Sequence, residues 1–328
     1  MSETDLPRAS EIPVFFPADG ETLFGIFTTP ADEAVGTAVI VLPGGSTPLT
    51  TDRNRISVRL CRRVASQGYH AMRLDYHGAG ESTGSLGWLQ LDRPFADDVQ
   101  GAVRWIERQG VSSTVLVGSC FGARTALSAA AETAGIRGVV LVSVPVRDHA
   151  MGARASNDAA LEWSLWTYLK RTLNLRVIRG LFDRRHRHVY RKYARAKLRK
   201  VSARLRRRDH HGSADAPDGL GLASPHFLTP LASLVERGVP VLLVFGTSEG
   251  HRKEFDRAMA GRLGEIVQRA GRSIEVELLP GRVHGFRSSF LQDAVIDVIG
   301  DWLGRLDAQT SSAEDRAARP VAGAASTE

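Results

Sequence analysis

Apolar residues fall in short runs along this chain, and the stretches between them carry helical spacing. Residues 12–29 contain I-P-V-F-F-P and T-L-F-G-I-F-T-T, separated by A-D-G. This pattern predicts an opening antiparallel pair with the A-D-G as its turn. T-A-V-I-V-L-P (37–43) follows as a buried strand, and a helix from about Arg53 to Gln67 leads to H-A-M-R-L-D (70–75). The helix F-A-D-D-V-Q-G-A-V-R-W-I-E-R (95–108) precedes S-T-V-L-V-G (113–118). Another helix, from Cys120 to about Thr133, precedes G-V-V-L-V-S-V (138–144). V-P-V-L-L-V-F-G (239–246), S-I-E-V-E-L-L-P (273–280) and a helix near 291–307 complete the alternation. Strands alternating with helices imply a mostly parallel sheet covered on both faces, an α/β protein.

That rhythm breaks between Arg147 and Pro230. The interruption holds L-E-W-S-L-W-T-Y-L-K-R-T-L (161–173), which fits an amphipathic helix, and then a strongly basic strip. The expected organisation has an N-terminal tail (1–10), a first part of the core (11–147) and a helical basic cap insertion (148–229). A second part of the core (230–307) and a disordered tail (308–328), rich in Ala, Ser, Thr and charge, follow. No internal repeat is present.

At 328 residues with 43% hydrophobic and 24% charged content, the composition is that of a globular protein with a sizeable core. No apolar run approaches the roughly 20 residues that span a bilayer. The first ten residues have acidic groups and no hydrophobic stretch, and two cysteines are too few for a disulfide framework. The expected location is therefore the cytoplasm. Charge changes this picture in one place. Residues 182–208 hold thirteen Lys or Arg and one Asp, a net +12 against +7 for the whole chain, so the remainder is mildly acidic.

The candidate chemistry centres on V-L-V-G-S-C-F-G (115–122). A strand that runs straight into a helix through G-x-nucleophile-x-G turns sharply, and small residues two before and two after the nucleophile avoid collisions. Gly118 and Gly122 flank Cys120 at that spacing. Putting Ser119 at the centre would require small residues where the chain has Val117 and Phe121. Cys120 is thus the expected nucleophile, and a helix N-terminus and a neighbouring histidine would favour its thiolate.

Several stretches resemble the α/β-hydrolases. V-I-V-L-P-G-G-S (39–46) is similar to the strand and oxyanion loop of that family, with Pro43 where histidine is usual. R-L-D-Y-H-G-A-G-E-S (73–82) resembles the D-x-R-G-x-G-x-S stretch of the serine aminopeptidase-like and acyl-hydrolase branches. V-L-L-V-F-G-T-S-E-G (241–250) resembles the strand and acid loop, and L-P-G-R-V-H-G-F (279–286) the histidine loop. The likeness covers roughly 12–147 and 230–306. A cysteine at the elbow departs from most of the family and is similar to the dienelactone hydrolases and some cysteine thioesterases.

The resemblance implies the order nucleophile, acid, histidine, and so a Cys120, Glu249, His284 triad. His284 would act as base and Glu249 would orient it. Asp148, Glu254 and Asp256 compete as the acid, Asp148 most seriously. The backbone N–H groups of Gly45 and Phe121 are the expected oxyanion donors, while Asp75 and Gly78-Ala79-Gly80 shape the pocket base without chemistry. The reaction expected is hydrolysis of an ester, lactone or thioester of a hydrophobic acyl group, with Trp163, Leu165, Trp166 and Tyr168 lining the entrance. No cofactor or metal is implied. Two other readings remain. One is an acyltransferase or cyclising thioesterase acting on a carrier-protein or coenzyme A thioester. The other is an inactive binding module. The basic strip, with Arg199, Lys200, Arg204 and Arg206, would dock an acidic acyl carrier protein or the phosphates of coenzyme A. Nucleic acid or an anionic membrane surface would also answer to the charge and ranks lower, since no nucleic-acid fold motif accompanies it.

Overall fold

The computed structural model describes residues 9–32, 34–44, 49–87, 89–148, 150–151 and 223–318, with side chains described to residue 309 apart from 150–151. The backbone divides into a unit of Met1–Met151 with Leu220–Glu328 and a second unit of Gly152–Gly219. The second lies outside the described residues, and with it the basic strip and the four aromatic and apolar entrance residues.

The chain opens with β1 (Ser10–Ala18) and β2 (Glu21–Thr29), paired antiparallel from Ser10↔Thr29 to Ala18↔Glu21. The two turn residues between them, Asp19 and Gly20, have φ of 44° and 81°. A two-residue hairpin loop of this hand matches the right-handed twist of the strands, and Asp-Gly is suited to it. Next come β3 (Thr37–Leu42), α1 (Ile56–Ala65), β4 (His70–Leu74), a short β5 (Leu89–Gln90), α2 (Ala96–Arg108) and β6 (Ser113–Ser119). After α3 (Phe121–Glu132) and β7 (Ile136–Val142), a short β8 (Ala150–Met151) pairs antiparallel with β5. The main layer resumes with α4 (Pro225–Glu236), β9 (Val241–Gly246), α5 (Gly250–Ala258), α6 (Arg262–Ala270), β10 (Ile274–Leu279) and α7 (Ser289–Ala318).

The main sheet has eight strands in the order β1-β2-β4-β3-β6-β7-β9-β10. The strands from β4 to β10 run parallel, and β2 is antiparallel to both of its neighbours. Side-chain alternation assigns the two faces. Ile40, Leu42, Leu116, Leu141, Leu243 and Phe245 point toward α2, α3 and α4. Val39, Val41, Val115, Val117, Val140 and Val142 point toward α1 and α7. Burial on both faces explains why these strands are continuous apolar runs rather than alternating ones.

Three boundaries differ from the sequence expectation. α4 begins at Pro225, inside the segment assigned to the cap, and buries Phe227, Leu228, Leu231 and Leu234 in the core. Pro230 sits within it; the ring forfeits one helical hydrogen bond, and the four buried side chains outweigh that loss. α5 and α6 occupy a stretch to which the apolar pattern assigned no element. α7 continues through Ala318, past the limit set at Ala308 on composition. The Ala, Gln, Glu and Arg of that extension are good helix formers, which composition alone did not reveal.

Candidate functional site

Strand β6 ends at Ser119 and α3 starts at Phe121, leaving Cys120 alone at the turn with φ 50° and ψ −110°. A non-glycine residue with positive φ is costly, by about 1–3 kcal/mol, and persists where the surroundings impose it. Here they do. The Cys120 N–H donates to the carbonyl of Val142 in the neighbouring strand (2.9 Å). A Cβ on Gly118 would lie 2.1 Å from the carbonyl oxygen of Gly122, and one on Gly122 2.5 Å from that of Pro43. Both glycines are therefore required for strand, turn and helix to pass this close. Ser119 stays in the strand, with its hydroxyl directed at Gly44, where an added Cβ would lie 3.0 Å from it. Cys120 is buried, 8% exposed.

His284 follows β10 in a loop with positive φ at Gly281, Gly285 and Phe286. This loop is tied down from three sides. Arg53 Nη1 donates to the carbonyl of Gly285 (2.9 Å), Gln292 Nε2 to that of Phe286 (2.7 Å), and Val283 is buried beneath it. Glu249 lies between β9 and α5 and is 2% exposed. Its Oε2 accepts from the backbone N–H of His284 (2.9 Å), and its Oε1 accepts from the Ser143 hydroxyl (2.9 Å). The acid and histidine loops are also joined by backbone, Ser248 N–H donating to the carbonyl of Gly281 (2.8 Å).

The competing carboxylates sit elsewhere. Asp148 accepts from Arg124 (2.8 Å) and Ser224 (2.7 Å) and pairs with His226 (2.8 Å). Asp256 pairs with Arg252 along α5. Glu254 lies 3.8 Å from Nδ1 of His251.

His251 is the residue the sequence reading missed. It stands in the first turn of α5, two positions after Glu249, and its ring meets that of His284 edge-on with centroids 4.7 Å apart. One ligating atom from each of Cys120, His251 and His284 lies within 4.8 Å of the other two. Burial pulls the His251 pKa down, but the neighbouring Cys120 sulfur and Glu254 carboxylate outweigh it and raise it to about 9. Its position after a strand, on the edge of the sheet that carries the elbow, was the available signal.

Of the expected oxyanion donors, Phe121 is the first residue of α3 and fully buried, and Gly45 lies outside the described residues. The neighbouring Gly44 N–H is occupied, donating to Asp52 Oδ2 (3.2 Å). Burial raises the Asp52 pKa, opposed by the N–H groups of Arg53 and Gly44. Asp75 works on the other side of this loop. Its carboxylate accepts from the N–H of Thr50 (2.6 Å) and of Glu81 (3.3 Å), which joins the loop after β3 to the loop after β4.

The family model of serine aminopeptidase, S33, matches residues 50–259 of this chain. The chain belongs to that family. This α/β-hydrolase has no match among curated proteins, but solved structures share its fold. An esterase from Pyrococcus furiosus is 15% identical at a TM-score of 0.54, over 90% of this chain and 91% of the other. A proline iminopeptidase from Mycobacterium smegmatis is 16% identical at 0.53, over 91% and 100%. A dienelactone hydrolase from Anabaena variabilis is 12% identical at 0.54, over 91% and 99%. No helix among the described residues of this hydrolase is long and apolar enough to cross a membrane.

Proposed function

We propose that this hydrolase cleaves an ester, lactone or thioester of a hydrophobic acyl group through a covalent acyl-enzyme on Cys120. The observation that carries the reading is the positive-φ cysteine at the strand-to-helix turn with two imidazoles beside its sulfur. His284 takes the Cys120 thiol proton and becomes imidazolium, the thiolate attacks the carbonyl carbon, a C–S bond forms, and negative charge moves to the carbonyl oxygen. The N–H of Phe121 and that of Gly45 are the donors for that oxygen. The tetrahedral species collapses with loss of the alcohol or thiol, which takes its proton from the His284 imidazolium. His284 then removes a proton from water, the hydroxide attacks the thioester, and the acid leaves as the C–S bond breaks. Glu249 positions the base through the His284 backbone N–H, with Ser143 fixing its other oxygen. His251, beside both Cys120 and the His284 ring, is a partner for the thiolate.

The acyl-enzyme is itself a thioester, a good acceptor for amines and alcohols, so transfer is the second reading. The basic strip at 182–208 favours a substrate delivered on an acidic acyl carrier protein or as a coenzyme A ester. Hydrolysis rates on a panel of short and long acyl thioesters and p-nitrophenyl esters, with products analysed in the presence and absence of an amine acceptor, test both. The expected result is free acid from water alone, with His284→Ala slowed by about 10²–10⁴-fold. Undiminished rates in His284→Ala would overturn the mechanism.

A further inference from the structure

Acyl transfer at a cysteine needs one imidazole to exchange protons, yet the Cys120 sulfur has two. For three donor atoms that all lie within 4.8 Å of one another, some point lies no further than about 2.8 Å from every one of them. Zinc binds thiolate sulfur at about 2.3 Å and imidazole nitrogen at about 2.0–2.1 Å. Inward movement of at most about 0.5 Å for the sulfur and about 0.8 Å for each nitrogen brings the three into that range.

The donor set is also chemically selective. Thiolate with imidazole suits Zn²⁺ and other thiophilic ions and is poorly matched to Mg²⁺ or Ca²⁺. Three protein ligands would leave a fourth position open. A carboxylate stands next to each histidine, and metal-binding histidines commonly donate their second ring nitrogen to such a group. Glu254 lies beside Nδ1 of His251, and Glu249 holds the backbone N–H of His284. All three donors sit on fixed backbone: the elbow, the first turn of α5, and a loop tied by Arg53 and Gln292.

We infer that Cys120, His251 and His284 form a binding site for a thiophilic divalent ion, Zn²⁺ above all, and that its occupation blocks the nucleophile. The sulfur binds as thiolate and both rings bind neutral, so protons leave to solvent as the ion enters. No electron transfer is involved. The blocking of turnover rests on the acyl-enzyme proposed above; the binding itself does not.

The test uses the full chain and two metal probes. Co²⁺ bound by a thiolate gives a sulfur-to-metal charge-transfer absorption that histidines alone cannot produce. That separates the site from any set of histidines elsewhere in the chain, including the four at 186, 188, 210 and 211 of the sequence. The chain has two cysteines, and the other, Cys61, is fully buried between the sheet and α7. The expected result is a charge-transfer band saturating at one Co²⁺ per chain, bleached by one Zn²⁺ and absent in Cys120→Ser. Chelator competition should show Zn²⁺ affinity falling more than about 100-fold in His251→Ala and in His284→Ala, beyond the 10–100-fold that follows loss of an outer partner. His226→Ala should bind as the parent does. In the unaltered protein, stoichiometric Zn²⁺ should slow iodoacetamide alkylation of Cys120 at least about 10-fold by peptide mass, a readout that needs no variant to fold. A missing band, full Zn²⁺ affinity in His251→Ala, or unslowed alkylation would each overturn the site. Ester turnover persisting with one Zn²⁺ bound would overturn the block. Absence of any turnover would count against the acyl-enzyme alone, since band and alkylation are read without substrate.

Discussion

Two cysteines of one chain have opposite surroundings. Cys61 is enclosed by α1, α7 and the sheet, and burial pushes its thiol up to about 12, despite the nearby Arg73. Cys120 stands at a strained turn beside imidazoles. Alkylation of the folded protein should therefore modify one thiol and unfolding should release the second; two fast thiols in the folded state would contradict this contrast. The glycines make a second prediction. Gly118→Ala and Gly122→Ala each drive a Cβ into backbone oxygen at 2.1 and 2.5 Å. Each should cost at least about 1–3 kcal/mol in denaturant unfolding, the usual scale of overpacking; unchanged midpoints would mean that the elbow relaxes freely. The elbow was legible because its requirement is local: glycines at fixed spacing between a strand and a helix. The same locality led from L-P-G-R-V-H-G-F to His284. His251 was not legible that way. Its nearness to the sulfur comes from how α5 packs across β9, a tertiary fact with no motif of its own.

At the level of elements, the point where the chain re-enters the core is held by one carboxylate. Asp148 joins α3 through Arg124 to the start of α4 through Ser224 and His226. Burial works against its charge, but hydrogen bonds from His226, Ser224 and Arg124 prevail and hold its pKa below the usual carboxylate value. A depressed folded pKa gives stability that is present above the unfolded value, about 3.9, and lost as pH falls through the folded one. Melting temperatures should decline below about pH 4, and Asp148→Asn should melt lower at neutral pH with a flatter acid limb. Parallel curves for the two proteins would contradict the assignment. Asp148 has the place in the chain expected of a catalytic acid, but the partners it meets are Arg124, Ser224 and His226. The inner strands β3, β6, β7 and β9 were readable as apolar runs buried on both faces, whereas the two-residue β5 and β8 carry no such run. Helix limits at Pro225 and Ala318 were not readable, because one depends on packing that overrides a proline and the other on propensity in a polar stretch.

For the whole molecule, charge and chemistry occupy separate parts of the chain. The sheet unit is mildly acidic and carries the elbow, while residues 182–208 carry a net +12. Binding to an acidic carrier protein should weaken steeply with salt and be lost when Arg199, Lys200, Arg204 and Arg206 are neutralised together. Affinity that ignores both would remove the docking role. The central claim is the covalent one, and intact-mass analysis after brief exposure to an activated acyl ester tests it most directly. The account predicts an adduct of one acyl group, mapped by peptide analysis to Cys120, absent in Cys120→Ala and longer-lived in His284→Ala. An acyl group found on Ser119, or an adduct that survives Cys120→Ala, would contradict it.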